Sequence, residues 1–194
     1  MGSAIRRRRI FMVLSLLLPV VSISCGGGMG TTTGGGTGSG SVGPVAGFGS
    51  VIVNGVRYDD TGIDDTNFFD GHGRTKADLK AGMMVAVSGS INGTNGRADN
   101  ITILRHVDGP MEDNGVNRAT NVLKVMGQDV VVDASTAYDN GITGIADLQT
   151  LQGANVKHPE LEVHGSADND GAIHATYVLK RSDDRIAGDR KSVV

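Results

Sequence analysis

The feature that most constrains this chain is an internal repeat. Ala77-Asp78-Leu79, Gly82 and Val85-Ala86-Val87-Ser88-Gly89-Ser90 return as Ala146-Asp147-Leu148, Gly153 and Leu161-Glu162-Val163-His164-Gly165-Ser166. The flanking chain lines up as well. Phe48 to Val53, Asn54-Gly55 and Val56-Arg57-Tyr58 correspond to Asn121 to Val125, Met126-Gly127 and Gln128 to Asp133. A repeat of this length implies one small structural unit made twice.

The unit reads as β. Asn54-Gly55 tolerates positive φ at both central positions of a tight type I′ hairpin, and short Val- and Ile-rich runs flank it. Asn67-Phe68-Phe69 suits a short strand, and Thr75 to Lys80 one helical turn that Gly82 stops. Met83 to Ser88 and Asp99 to Leu104 form further strands around the Asn92 to Gly96 turn. Thirty Gly, no Trp and few aromatics favour short strands and many turns over long helices. The expected architecture is all-β, with two tandem small barrels. An OB-like barrel is the nearest known shape, because closure removes most exposed edges. Modules this small bury little surface alone, so the two are expected to pack on each other.

Ahead of the repeat, Arg6 to Arg9 precede the apolar run Ile10 to Ile23. As a helix this run spans about 21 Å, short of the roughly 30 Å hydrocarbon core, so it reads as a signal peptide rather than a membrane anchor. The sole cysteine, Cys25, follows Ser24 and opens Gly26-Gly27-Gly28. This resembles a bacterial lipoprotein signal, in which that cysteine is lipidated and becomes the first mature residue. Ser22 stands where that signal usually has Leu, and Ser22-Ile23-Ser24 also fits an ordinary signal peptidase site. Gly26 to Gly47 is low-complexity Gly, Thr and Ser, expected to form a flexible tether with a reach of roughly 25 Å. The resulting division is 1–24 leader, 25–47 tether, 48–107 first module, 108–182 second module and 183–194 polar tail.

The first 24 residues hold four of the eighteen basic side chains and no acid. The rest therefore carries a formal charge of -7. An acidic body repels phosphate backbones, which argues against nucleic acid as a partner. A membrane reached through a lipid anchor and an envelope protein are the expected partners, with no cofactor. Because Gly26 is not the Asp that retains enterobacterial lipoproteins at the inner membrane, the outer membrane is the expected address.

No Gly-x-Ser-x-Gly, His-Glu-x-x-His or phosphate-cradling loop occurs. The acids Asp59, Asp60, Asp64, Asp65 and Asp70 lack the spacing of a calcium loop. His158, Glu160, Glu162 and His164 alternate, so a strand would place them on one face, with Leu161 and Val163 on the other. With His174 on the neighbouring strand they are weak metal candidates. Alternate side chains on a straight strand lie about 6.5–7 Å apart, too far for all to meet one ion. The alternation therefore reads as the wet face of a half-buried strand. An envelope enzyme and a weak metal-binding protein are the competing functions. Ser88 lines up with His164, Arg97 with His174 and Arg57 near Val131. The copies thus share scaffold rather than a site, and a binding surface belongs to one copy or to the seam. The added Asn155 to His164 segment favours the second copy.

The pattern Gly-Phe-Gly-Ser-Val-Ile-Val-Asn-Gly-Val followed by Asp-Leu-Lys-Ala-Gly-Met-Met-Val-Ala-Val-Ser-Gly resembles a bacterial domain of unknown function. That domain occurs in tandem in exported proteins and lipoproteins. The resemblance covers residues 47–104 well and 108–180 more loosely. It implies a small β-barrel-like module of the cell envelope and brings no catalytic residues.

Overall fold

The computed structural model describes residues 40–153 and 158–181. The leader, Cys25, the tether as far as residue 39, residues 154–157 of the added segment and the polar tail lie outside the described residues.

The first module runs β1 (Ser41–Gly47), β2 (Val51–Val53), β3 (Val56–Asp59), β4 (Phe68–Phe69), a 3-10 turn (Lys76–Asp78), β5 (Met84–Asn92) and β6 (Asn95–Ile103). The second repeats it as β7 (Val107–Asn117), β8 (Val122–Val125), β9 (Gln128–Val131), β10 (Ala137–Asp139), α1 (Ile145–Gly153), β11 (Glu160–Ala167) and β12 (Ile173–Lys180). In the first module the order β3-β2-β1-β5-β6 is closed by a parallel β3–β6 pairing. In the second, β9-β8-β7-β11-β12 is closed by a parallel β12–β9 pairing. A meander of three strands, then a crossover into two more that return to the first and third, is the OB-like order expected from the repeat.

Ser41–Gly47 corrects the expected boundary at residue 48: the last part of the supposed tether is the first barrel strand. Its Gly, Ser and Pro content hides it. Yet Ser41, Gly43 and Val45 are buried in alternation, and the strand pairs with both β2 and β5. Its counterpart β7 is equally polar in sequence and pairs with β8 and β11.

The same local chemistry shapes both copies. The β2–β3 turn has Asn54 at φ 51° and Gly55 at φ 77°; the β8–β9 turn has Met126 at φ 50° and Gly127 at φ 81°. Thr61 N–H donates to Asp59 Oδ1 at 3.0 Å, and Ser135 N–H to Asp133 Oδ1 at 2.7 Å. Ahead of the helical segments, the N–H and hydroxyl of Thr75 donate to Asp78, and those of Thr143 to Asp147. The repeated aspartates are therefore turn and cap residues. The copies differ in α1, nine residues long against three in the 3-10 turn.

Each barrel has its own core. The first is built around Val45, Val53, Tyr58, Phe68, Leu79, Val85 and Ile101. The second is built around Met111, Leu123, Val130, Leu148, Leu161, Val163 and Val178. A bulge interrupts each long hairpin, between Ser88 and Gly89 and between His164 and Gly165. It coils the strands enough to close the barrel. A Cβ on Gly89 or Gly165 would land on the carbonyl oxygen of Arg97 or His174.

The second bulge also reorients β12. Gly165 pairs with Ala175 and His164 with Tyr177, so Thr176 is the extra residue. Ile173 and Ala175 face the second core before the bulge, and Val178 after it. Tyr177 and Leu179 are turned outward, and both pack against the core of the first barrel.

The seam between the barrels as candidate functional site

The outward face of β11 and β12 carries two facing pairs, Glu162 with Leu179 and His164 with Tyr177. Alternation places these side chains on one face, as the sequence suggests, but that face is not wet. Glu162 and His164 are 0% exposed and Tyr177 is 2% exposed, because the first barrel covers them. Leu161 and Val163 fill the second core on the opposite side, so β11 is buried on both faces.

The first barrel meets this face with backbone and guanidinium groups. Gly82, at φ 89°, accepts a 2.7 Å hydrogen bond on its carbonyl from the Thr176 hydroxyl. A Cβ there would lie 2.5 Å from the Thr176 carbonyl oxygen, so the close approach needs glycine. Two residues on, Met84 N–H donates to His164 Nδ1 at 3.2 Å. Nδ1 is thus an acceptor and the ring proton sits on Nε2, which donates to Glu162 Oε1 at 2.8 Å. The imidazole also stands edge-on to Tyr177, with ring centroids 5.5 Å apart.

Glu162 is held from the other side by Arg74. Nη1 lies 2.6 Å from Oε1 and Nη2 2.7 Å from Oε2, a two-pronged pair across the seam. Arg105, from the link between the barrels, places Nε 3.2 Å from the same Oε1. That approach is off hydrogen-bond geometry, and Arg105 Nε is a buried nitrogen with no hydrogen bond among the described residues. Asp70, 7% exposed, organises both arginines. Its carboxylate accepts from Arg105 Nη2 and from the backbone N–H groups of His72 and Arg74. Its carbonyl accepts from Arg105 Nη1 at 2.6 Å. Burial alone would raise the Glu162 pKa, but hydrogen bonds from His164 and Arg74 outweigh it and hold the carboxyl well below the usual range. Burial opposes the charge of Arg74, and Glu162 more than restores it. Burial and the nearby His164 push His106 down. For Tyr177, burial and the hydroxyl's 2.9 Å bond to Asp139 push its pKa up.

At the outer edge of the seam, His72 Nδ1 lies 3.8 Å from Asp108 Oδ2, and Arg181 Nη1 2.5 Å from Asp108 Oδ1. His72, Asp108 and Glu162 bring one potential ligand atom each within 4.8 Å of one another. The donor set does not suit a cation. Both Glu162 oxygens already face Arg74, Asp108 faces Arg181, and a metal ion would have to displace these guanidinium groups. This is an ion-pair network, not a metal centre.

The residues named from sequence scatter. His158, exposed and at φ 46°, lies 3.5 Å from Asp113. Glu160 accepts Arg181 N–H on its carbonyl. His174 pairs with Asp168 at 3.1 Å. Only Glu162 and His164 share a cluster. They are buried in contact with the first barrel, where the added segment was expected to present groups to a partner. Arg74, Asp70 and Arg105 carried no distinguishing signal in sequence. The available signal was mismatch: Ala86, Ser88 and Asn100 occupy, in the first copy, the register positions of Glu162, His164 and Tyr177.

Two five-stranded closed barrels of one topology, joined through a buried charged seam, define a tandem OB-like barrel protein. The chain belongs to the family described as domain of unknown function DUF5666, whose model matches residues 39–102 and again residues 108–178, more than half of the chain. No curated protein and no solved structure matches it.

Proposed function

We propose that this chain is an exported, lipid-anchored module of the bacterial envelope that serves as a binding or structural element rather than a catalyst, with the outer membrane as its address. The observation that carries this reading is how its buried ionisable groups are used. Glu162 and His164, both fully buried, are committed to joining two copies of one module. A carboxylate gripped on both oxygens by Arg74 and wholly out of solvent is not presented to a substrate. The basic, apolar leader and Cys25 ahead of a Gly-rich run support the anchor.

The test is metabolic labelling with a palmitate analogue, followed by membrane fractionation, for the wild type and Cys25→Ser. The reading expects label and membrane retention in the wild type, and loss of both in the variant. Unchanged labelling and retention of Cys25→Ser would rule the anchor out. Crosslinking of the anchored form in native membranes should then trap an envelope protein.

A further inference from the structure

Met84 N–H donates to His164 Nδ1, and this bond runs from the backbone of the first barrel into the buried charge network of the second. It exists only while Nδ1 carries no proton. Protonation would set Nδ1–H against the Met84 N–H, two donors facing each other with no acceptor between them. We propose that the seam is an acid-loosened joint, in which uptake of a proton by His164 breaks this bond and opens the contact between the barrels.

The charge around the ring favours this outcome. Glu162, beside His164 on β11, is the one acid among the described residues that hydrogen-bonds the imidazole, and both of its oxygens already face Arg74. Inside the seam the negative charges of Glu162 and Asp70 are balanced by Arg74 and Arg105. A proton on His164 leaves this buried set with an unmatched positive charge. From β12 the ring meets the edge of Tyr177, whose hydroxyl is turned to Asp139. From the link between barrels it feels His106, a second imidazole that would add like charge. At the rim, Asp108 is engaged by Arg181 and sits near His72. Opening would expose Tyr177, Leu179 and the Gly82 turn while leaving the second barrel's core, on the other face of β11, intact. The inference concerns the barrels alone and does not depend on the lipid anchor.

The experiment is amide hydrogen exchange on the full chain, corrected for the intrinsic pH dependence of exchange. Between about pH 7.5 and 5, a range that spans histidine titration, protection of the Met84 amide should fall at least about tenfold. Protection of Leu123, deep in the second core, should hold. His164→Gln should abolish the pH dependence, whereas His72→Gln and His106→Gln should keep it. Constant Met84 protection across the range would overturn the proposal. So would a fall that persists in His164→Gln or disappears in His72→Gln or His106→Gln. Should His164→Gln not fold, nitrogen-15 shifts of the wild-type imidazoles decide. Met84 protection must fall in step with protonation of His164 Nδ1, and a fall while Nδ1 stays unprotonated overturns the proposal.

Discussion

Arg74 of the first barrel grips Glu162 of the second with both nitrogens, at 2.6 and 2.7 Å, and Glu162 is wholly out of solvent. The two residues lie 88 positions apart, and neither has a like counterpart in the other copy. A duplicated module would otherwise present two similar faces. Here one copy's face carries Glu162, His164 and Tyr177, while the other has Ala86, Ser88 and Asn100, with Ser88 and Asn100 both exposed. The difference between the repeats is what joins them.

The bulge glycines are expected to be indispensable to both barrels. Gly165→Ala drives a methyl into the His174 carbonyl, and Gly89→Ala into that of Arg97. Neither obstacle is a flexible side-chain end. Each substitution should cost about 3 kcal/mol in denaturant unfolding, at the upper end for overpacking. Gly62→Ala, with open space around it, serves as the neutral control.

Met126→Asn should stabilise the second barrel. Met126 sits at φ 50° in the β8–β9 turn and is 63% exposed, so it accepts the left-handed conformation with little burial in return. Asn visits that region more readily, as Asn54 does in the equivalent turn. A gain of about 0.5–1 kcal/mol in chemical denaturation is expected, below the full cost of about 1–2 kcal/mol for the conformation.

The pH dependence contributed by Glu162 follows from its lowered pKa. A carboxyl whose folded value is depressed adds stability that is fully present above its unfolded value, about 4.3. That stability declines as pH falls below the unfolded value and is gone once pH has passed through the depressed folded value. Glu162→Gln should therefore cost stability at neutral pH, and its difference from the wild type should shrink as pH falls from about 4.5 to 3. A difference that stays unchanged across that range would contradict the electrostatic account. Tyr177 acts at the alkaline end. Its raised pKa contributes stability present below about pH 10 and lost as pH rises through the higher folded value.

Much of the fold was legible because local chemistry repeats. Asn54-Gly55 marked the first hairpin and Thr75 to Lys80 a single helical turn, and both have the expected form; the nine-residue helix around Asp147 in the second copy was not expected. The strand Ser41–Gly47 was not legible, because glycine and serine on a barrel strand look like a linker until the partners β2 and β5 are known. The seam was half legible. Alternation put Glu162 and His164 on one face, but only tertiary packing says whether that face meets water or a neighbour. Tyr177 was hidden by the bulge at Thr176, which shifts the strand's alternation by one. Arg74 and Asp70 looked like members of a solvated polar loop, although Asp70 is buried and Arg74 nearly so.

A double-mutant cycle on Arg74→Met and Glu162→Gln, read by equilibrium unfolding of the full chain, addresses most directly the claim that the mismatched residues fasten the barrels together. Removing one partner of a buried pair typically costs about 3–5 kcal/mol, because the other charge is left behind. With Arg105 and His164 still beside Glu162, Arg74→Met should fall near the lower bound. The double variant should be much less destabilised than the sum of the singles, with a coupling of about 2 kcal/mol. Additive losses, with coupling within about 0.5 kcal/mol of zero, would contradict the account.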